Sequence, residues 1–177
     1  MNDILSPNKP GTSPEQATVR LERMLPGPIE RVWAYLVEPG KRATWCAGGV
    51  FDLRVGGKAD LHFDHSLISA EPTPPEAKAK PCDWTCTITR LEPPRVLAYT
   101  FAPGGPESEV TFELETRGQG VLLVLTHRRL ADRGKMIGVA GGWDAHVGIL
   151  EDRLNNVEPR PFWATMARLR KQYEATL

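Results

Sequence analysis

The apolar residues of this chain follow three patterns in turn: alternation, helical spacing, and alternation again. Val19, Leu21 and Leu25 alternate with more polar residues, which is typical of a half-buried strand. Residues 1–16 show no such period and are rich in proline and small polar residues, so they are expected to form a flexible tail. The folded domain is therefore predicted to begin near Ala17.

Two helices are predicted directly after this first strand. Apolar residues between Ile29 and Val37 recur at the i, i+3, i+4, i+7 and i+8 positions of an amphipathic helix, and Pro28 suits its first turn. A second, short helix is predicted over residues 41–47, with Trp45 on it, before a pair of glycines. The apolar face of the first helix must pack on something large.

Six further strands are predicted between residues 50 and 128. Each shows two-residue alternation or enrichment in β-branched and aromatic residues, with proline or glycine turns between most of them. The predicted strands cover residues 50–55, 59–65, 83–89, 96–101, 110–115 and 121–128. Residues 71–81 hold four prolines and are expected to form a loop or a ragged strand edge. Seven strands with mostly short turns imply an antiparallel meander with one buried face.

Two helices are predicted near the C-terminus. The long one, roughly residues 137–156, carries Trp143 and must cover the buried face of the sheet. From Pro161 onward a second amphipathic segment reaches Tyr173, and it is short and charged enough to lie on the surface of the domain or of a second subunit. A homodimer contact and an intrachain brace are both compatible with this helix.

Length, charge and hydropathy narrow the classes of function. A chain of 177 residues with 41% hydrophobic content can bury one sizeable core. The 22 basic and 22 acidic residues cancel without any arginine–lysine block, so nucleic acid is not an expected partner. The sequence shows neither an apolar run long enough to span a bilayer nor an N-terminal signal pattern, and a cytoplasmic location is the default expectation.

The spacing of cysteines and histidines predicts no metal, cofactor or catalytic site. Cys82 and Cys86 lie four positions apart in a predicted strand, about 13 Å from each other, which favours neither a disulfide nor a metal clip. His62 and His65 differ by three positions and are predicted to point to opposite faces of a strand. Signatures of hydrolases, zinc proteases and nucleotide-binding loops are absent from the sequence as well.

Six segments of the chain carry a resemblance to a known family. They are Val19–Leu25, Pro28–Trp33, Trp45, Leu53–Gly57, Leu91–Leu97 and Gly142–His146. In order and spacing, these segments resemble the activator-of-heat-shock-protein-90-ATPase-like branch of the SRPBCC (START-like) superfamily, over a span from about Ala17 to Asn156. The loop at residues 72–80 and the segment from Pro159 onward look like additions to the shortest members of that family.

This resemblance implies an α+β helix-grip fold. In that fold a curved, seven-stranded antiparallel sheet surrounds a long C-terminal helix, with two short helices after the first strand and a cavity between sheet and helix. Residues 17–157 would then form a ligand-binding domain, and residues 158–177 a helical extension of the same domain. The fold class agrees with the one predicted from hydrophobic periodicity alone.

The inward face of such a sheet predicts which side chains line the cavity. Small-molecule pockets are mainly apolar and aromatic with a few polar groups that fix orientation. The predicted lining residues are Trp45, Phe63, Trp84, Tyr99, Phe112, Trp143, His146 and Val147. An aromatic stripe is, however, more often plain core than the lining of a ligand site. His146 is the best candidate for a polar or acid–base group, although a histidine hydrogen-bonded at the helix edge fits the sequence too.

Three functions of different classes follow from these observations. The favoured one is binding of a small hydrophobic or amphipathic molecule in the cavity. An enzyme of the polyketide-cyclase type would use the same cavity and needs a buried titratable group beside the ligand. A co-chaperone-like protein would instead need a large exposed apolar patch. The identity of the ligand cannot be obtained from hydrophobic periodicity.

Overall fold

The computed structural model describes residue 11, residues 17–78, residue 80 and residues 82–177. The fold is α+β, built on one curved sheet of six antiparallel strands. The predicted tail at residues 1–16 lies outside the described residues except for Gly11, which is buried. The Gly11 N–H donates a hydrogen bond to the Tyr173 hydroxyl at 2.7 Å.

The sheet runs in the order β1-β6-β5-β4-β3-β2, so β1 and β2 form its two edges. Strands β1 to β6 cover Val19–Pro26, Lys58–His62, Asp83–Glu92, Val96–Thr100, Glu109–Arg117 and Gly120–Arg128. Helices α1 to α5 cover Ile29–Val37, Pro39–Arg42, Pro75–Lys78, Arg133–Leu154 and Phe162–Thr176. Short 3₁₀ turns lie at His65–Leu67 and Ala102–Gly104. No helix in these ranges is both long and apolar enough to cross a membrane.

The alternation predicted for the first strand is present in β1. Val19, Leu21 and Leu25 are buried on one side, and Arg23 is buried beside them. The guanidinium of Arg23 pairs with the carboxylate of Asp144 on α4. Because a buried charge is tolerated only when it is paired, this contact explains how a strand with a charged inward residue can face the core.

The prediction of seven strands is wrong by one, because residues 50–55 do not form a strand. Within this segment one isolated bridge to β2 is present, between Phe51 and Ala59. The chain bends sharply where the N–H of Arg54 donates to the carbonyl of Asp52 at 2.7 Å. Phe51 is buried, whereas the other apolar residues of the segment are exposed: Val50, Leu53 and Val55.

The second helix is shifted from its predicted position and ends at Arg42, before Trp45. Pro39 begins this helix instead of ending the previous one, which suits a residue that lacks a backbone N–H. The side chain of Arg42 is buried and donates hydrogen bonds to the carbonyls of Val37 and Ala47, at 3.1 and 2.9 Å. This one side chain therefore holds the irregular segment that follows.

The two C-terminal helices pack against each other within the chain. Helix α4 begins at Arg133, earlier than predicted, because the carboxylate of Asp132 caps it by accepting the N–H of Lys135 at 2.8 Å. Helix α5 buries Phe162, Leu169 and Tyr173. Its first turn lacks a local side-chain cap. Instead, the carboxylate of Glu71, from the loop before α3, accepts the N–H of Trp163 at 2.7 Å.

Candidate functional site

A cleft of about 830 Å³ lies between the N-terminal half of α4, the start of α5, and the ends of β2 and β3. Its volume is within the range of small-molecule sites, about 300–1,000 Å³. Six aromatic side chains form most of its walls: Phe63, Trp84, Phe101, Trp143, Phe162 and Trp163. The loop with α3 and the turn at Ala102–Gly104 complete the lining.

One strip of helix α4 forms the floor of the cleft. The residues on this strip are Lys135, Gly138, Val139, Gly142, Trp143 and His146, which recur at three- and four-residue spacing. Gly138 and Gly142 lie one turn apart, and a Cβ added at either would meet no atom within 4 Å. The helix backbone is therefore bare at these two positions of the floor.

Trp143 is held rigidly between the cleft and the core. Its Nε1–H donates to Nδ1 of His127 at 3.0 Å, and the other ring nitrogen of His127 bonds the hydroxyl of Ser108 at 3.0 Å. The indole ring packs edge-on against Phe112 with ring centroids 5.5 Å apart. Since each of these partners is buried, the wall formed by Trp143 is fixed before any ligand arrives.

His146 supplies a polar atom at the inner end of the cleft. Its side chain is buried, and Nδ1 lies 2.7 Å from the carbonyl oxygen of Trp45, so Nδ1 carries the hydrogen and donates it. Nε2 is then a lone-pair acceptor, and no described residue bonds it. Nε2 is not completely sealed from solvent, and His146 lines the cleft, so a molecule in the cleft can reach this nitrogen. Burial, helped by the nearby His65, lowers the pKa of His146 to about 3.

His65 also lines the cleft, which the sequence analysis did not predict. It lies in a 3₁₀ turn and not in β2, because Asp64 caps that turn by accepting the N–H of Ser66 at 3.0 Å. Its ring centroid is 4.7 Å from that of Trp163 and 5.8 Å from that of His146. Burial lowers the pKa of His65. An aspartate two residues before a serine is a turn signal that could have revealed this bend.

The rim of the cleft carries more positive than negative charge. Four cationic side chains line it: Lys78, Lys80, Lys135 and Arg170. The two acidic residues of the lining, Asp64 and Asp132, each cap a helical turn through their carboxylates. Among the residues that the structure describes, none of the four cations lies in an ion pair.

The structure places four of the eight predicted lining residues in the cleft and four in the core. Phe63, Trp84, Trp143 and His146 line the cleft. The remaining four are buried away from it: Trp45, Tyr99, Phe112 and Val147. The middle of the sheet is filled by its own aromatic contacts, such as Tyr99 against Phe112 with centroids 5.9 Å apart. Alternation gives the inward face of a strand, but it does not tell where along that face the packing ends.

The described residues hold one group of side chains with the geometry to share a metal ion. His62, Cys82 and Asp83 offer ligand atoms that all lie within 4.8 Å of one another. All three are exposed, and Nδ1 of His62 bonds the carboxylate of Asp83 at 2.5 Å. That hydrogen bond raises the pKa of His62 and lowers the pKa of Asp83. The strand register pairs His62 with Asp83 directly, so the contact needs no metal.

Comparison with known proteins gives one family and several similar structures. The family model described as activator of Hsp90 ATPase homolog 1-like protein matches residues 26–155. A Bordetella parapertussis protein, encoded by gene BPP1335 and solved by NMR, is 46% identical. That match covers 97% of this chain and 92% of that protein, with a TM-score of 0.81.

Two more distant structures share the fold. CalU16 from Micromonospora echinospora is 22% identical, with a TM-score of 0.67 and coverage of 90% of this chain and 87% of that chain. The protein EF2215 from Enterococcus faecalis is 16% identical, with a TM-score of 0.62 and coverage of 92% and 89%. A comparison with curated proteins gave no match.

Proposed function

This chain belongs to the activator of Hsp90 ATPase homolog 1-like family, and we propose that it binds a small hydrophobic or amphipathic molecule in the cleft along α4. The cleft lies where a helix-grip fold would have its cavity, between the sheet and the long helix. Aromatic walls would contribute apolar contact area, and the acceptor nitrogen of His146 would fix the orientation of the ligand.

The observation that carries this proposal is the pair of glycines in the floor. Glycine inside a helix costs about 0.5–1 kcal/mol relative to alanine. Gly141 and Gly148 in the same helix have a packing reason, because an added Cβ would lie 2.7 Å from Cγ of Arg170 and 2.9 Å from Nη1 of Arg160. Gly138 and Gly142 have no such neighbour, and both face the cleft. A ligand that occupies the volume above these two glycines would explain why the helix keeps residues that lower its stability.

The same contacts support two other functions less well. A polyketide-cyclase type of enzyme would use His146 as a base, but a pKa of about 3 makes it a weak base at neutral pH. It therefore suits orientation of a ligand better than proton abstraction. A co-chaperone-like role draws support from the aliphatic side chains of Val50 and Val55, which are 67% and 63% exposed on one loop.

A cleft-filling variant tests the proposal. Gly142→Leu places a side chain on the floor at a position where the Cβ meets no atom within 4 Å, so the affinity for the neutral fluorescent probe N-phenyl-1-naphthylamine should fall at least about tenfold. Gly40→Leu is the matched control, because Gly40 also has no atom within 4 Å of an added Cβ but lies on α2, outside the cleft. Native mass spectrometry of freshly purified protein, with analysis of an organic extract, would show any retained molecule. Equal probe affinity in both variants and the parent chain would contradict the proposal.

A further inference from the structure

We propose that the occupant of the cleft is a planar aromatic anion whose acidic group lies at the rim, between Lys135 of α4 and Arg170 of α5. This inference rests on the proposed function and adds the chemical class of the ligand. Three features of the lining carry it: the charge of the rim, the shape of the floor, and the hydrogen-bonding atom at the inner end.

The charge of the rim differs from that of the whole protein. The chain has equal numbers of basic and acidic residues, yet four cations and only two carboxylates line the cleft. Both carboxylates already accept backbone N–H groups of helical turns, Asp64 at 3.0 Å and Asp132 at 2.8 Å. Within the described ranges the cations have no carboxylate partner, so the field at the mouth favours an anion.

The shape of the floor favours a flat ligand. At Gly138 and Gly142 the helix presents backbone only, and Trp143, Phe162 and Trp163 line the same cleft. Aromatic rings prefer offset or edge-on contacts with other rings, which a planar ring system in the cleft would make with these walls. A bulky, branched ligand would leave the flat strip unfilled.

The inner end of the cleft requires a hydrogen-bond donor on the ligand. Nε2 of His146 can only accept while the ring is neutral, and its low pKa keeps it neutral at ordinary pH. Lys135 and His146 are separated by eleven residues of helix, a rise of about 16 Å, part of which the long lysine side chain covers. A two-ring acid with a hydroxyl at the far end has about the required length.

Three probes that share the naphthalene ring system separate the parts of this inference. They are 6-hydroxynaphthalene-2-carboxylate, naphthalene-2-carboxylate and the neutral naphthalene-2-carboxamide. Isothermal titration calorimetry of the 177-residue chain at pH 7.5 should show the two carboxylates binding about tenfold more tightly than the amide in 50 mM salt. The difference should shrink in 500 mM salt, because the rim charges are exposed and screened. The hydroxylated acid should bind more tightly than the unsubstituted acid.

Charge-removing variants locate the effect. The double variant Lys135→Gln, Arg170→Gln should lower the affinity for naphthalene-2-carboxylate to that of the amide, and it should lower the affinity for the amide much less. Lys171→Gln is the matched control, because Lys171 is the neighbouring cation on α5 and does not line the cleft. Thermal unfolding of each variant would establish that the fold is intact.

The possible outcomes distinguish the two levels of the proposal. If all three probes bind equally and salt has no effect, the inference that the ligand is an anion is wrong, while the proposed function stands. If Lys171→Gln lowers the affinity for the carboxylate as much as the double variant does, the assignment of the acidic group to Lys135 and Arg170 is wrong. If none of the probes binds at millimolar concentration, both the proposed function and the inference built on it are contradicted.

Discussion

Two buried histidines lie on either side of Trp143, and they differ in what their second ring nitrogen does. His127 on β6 has both nitrogens engaged, one accepting from Trp143 and the other bonding Ser108. His146 on α4 has one nitrogen bonded to the carbonyl of Trp45 and the other open to the cleft. Burial lowers the pKa of each to about 3.

This difference shows that a shifted pKa alone does not mark a functional group. Desolvation shifts the pKa of a sealed histidine as strongly as that of one in a cleft. The distinguishing property is the unpartnered acceptor, which only His146 of the two presents to a volume that a ligand could fill. His127 instead completes a hydrogen-bonded chain from Trp143 through Ser108 to the carbonyl of Phe101.

The largest expected effect is a loss of stability in mild acid. Both histidines have pKa values of about 3 when folded, whereas an unfolded histidine titrates near pH 6.5. The unfolded chain therefore takes up protons first as the pH falls, and stability decreases from about pH 6.5 downward. Between pH 6 and 4.5 the two groups together should cost about 4 kcal/mol, at about 1.4 kcal/mol per pH unit each. Urea denaturation at a series of pH values measures this.

The variant His146→Gln sharpens this test. It removes one of the two titrating histidines, so the dependence of the free energy of unfolding on pH should become about half as steep. His65 contributes with the same sign, since burial lowers its pKa too. The exposed His62 has a raised pKa and acts in the opposite direction, its stabilisation being lost as the pH rises. A free energy of unfolding that is constant between pH 6 and 4.5 would show that neither buried histidine stays neutral in the fold.

The next effect separates the two histidines by stability. His127→Ala leaves the indole N–H of Trp143 without an acceptor in a sealed region, and we expect a loss of about 3 kcal/mol at pH 7.5. His146→Ala frees the carbonyl of Trp45 beside a space that the removed ring leaves open to the cleft, so water can replace the ring, and the change should cost about 1 kcal/mol. Chemical denaturation gives both values.

The effects of the two substitutions on ligand affinity should rank in the opposite order to their effects on stability. His146→Ala is expected to remove the advantage of 6-hydroxynaphthalene-2-carboxylate over the unsubstituted acid and leave the fold intact. If His146→Ala destabilised the protein as much as His127→Ala and left both affinities unchanged, His146 would be a core histidine like its counterpart.

Much of the fold could be predicted because its elements are determined by local patterns. The alternation at β1 and the helical spacing at α1 each specify one buried face. The segment at residues 50–55 also alternates, yet it forms no strand. Arg42 decides the path of the chain there: it bonds the carbonyls of Val37 and Ala47, and its guanidinium lies 3.6 Å from the ring centroid of Phe51. No pattern within the segment records these contacts.

The site could be predicted only in part for a similar reason. Phe63 and Trp143 were expected to line the cavity, and both line the cleft. His65 comes from a turn, and Phe162 comes from α5. The position of α5 depends on Glu71, which is more than ninety residues away in the sequence and caps the helix at Trp163. Such long-range contacts define the edge of the cleft, and hydrophobic periodicity contains no information about them.

The smallest effects compare the glycines of α4. Gly138→Ala and Gly142→Ala should each stabilise the protein by about 0.5–1 kcal/mol, because their Cβ atoms meet open space and alanine favours the helix. Gly141→Ala should fail to stabilise, since its Cβ would lie 2.7 Å from Cγ of Arg170. Thermal unfolding of the three variants measures the difference. A stabilised Gly142→Ala with weaker probe binding would show that this helix gives up stability to keep the cleft open. Equal behaviour of all three would remove the glycines as support for a ligand site.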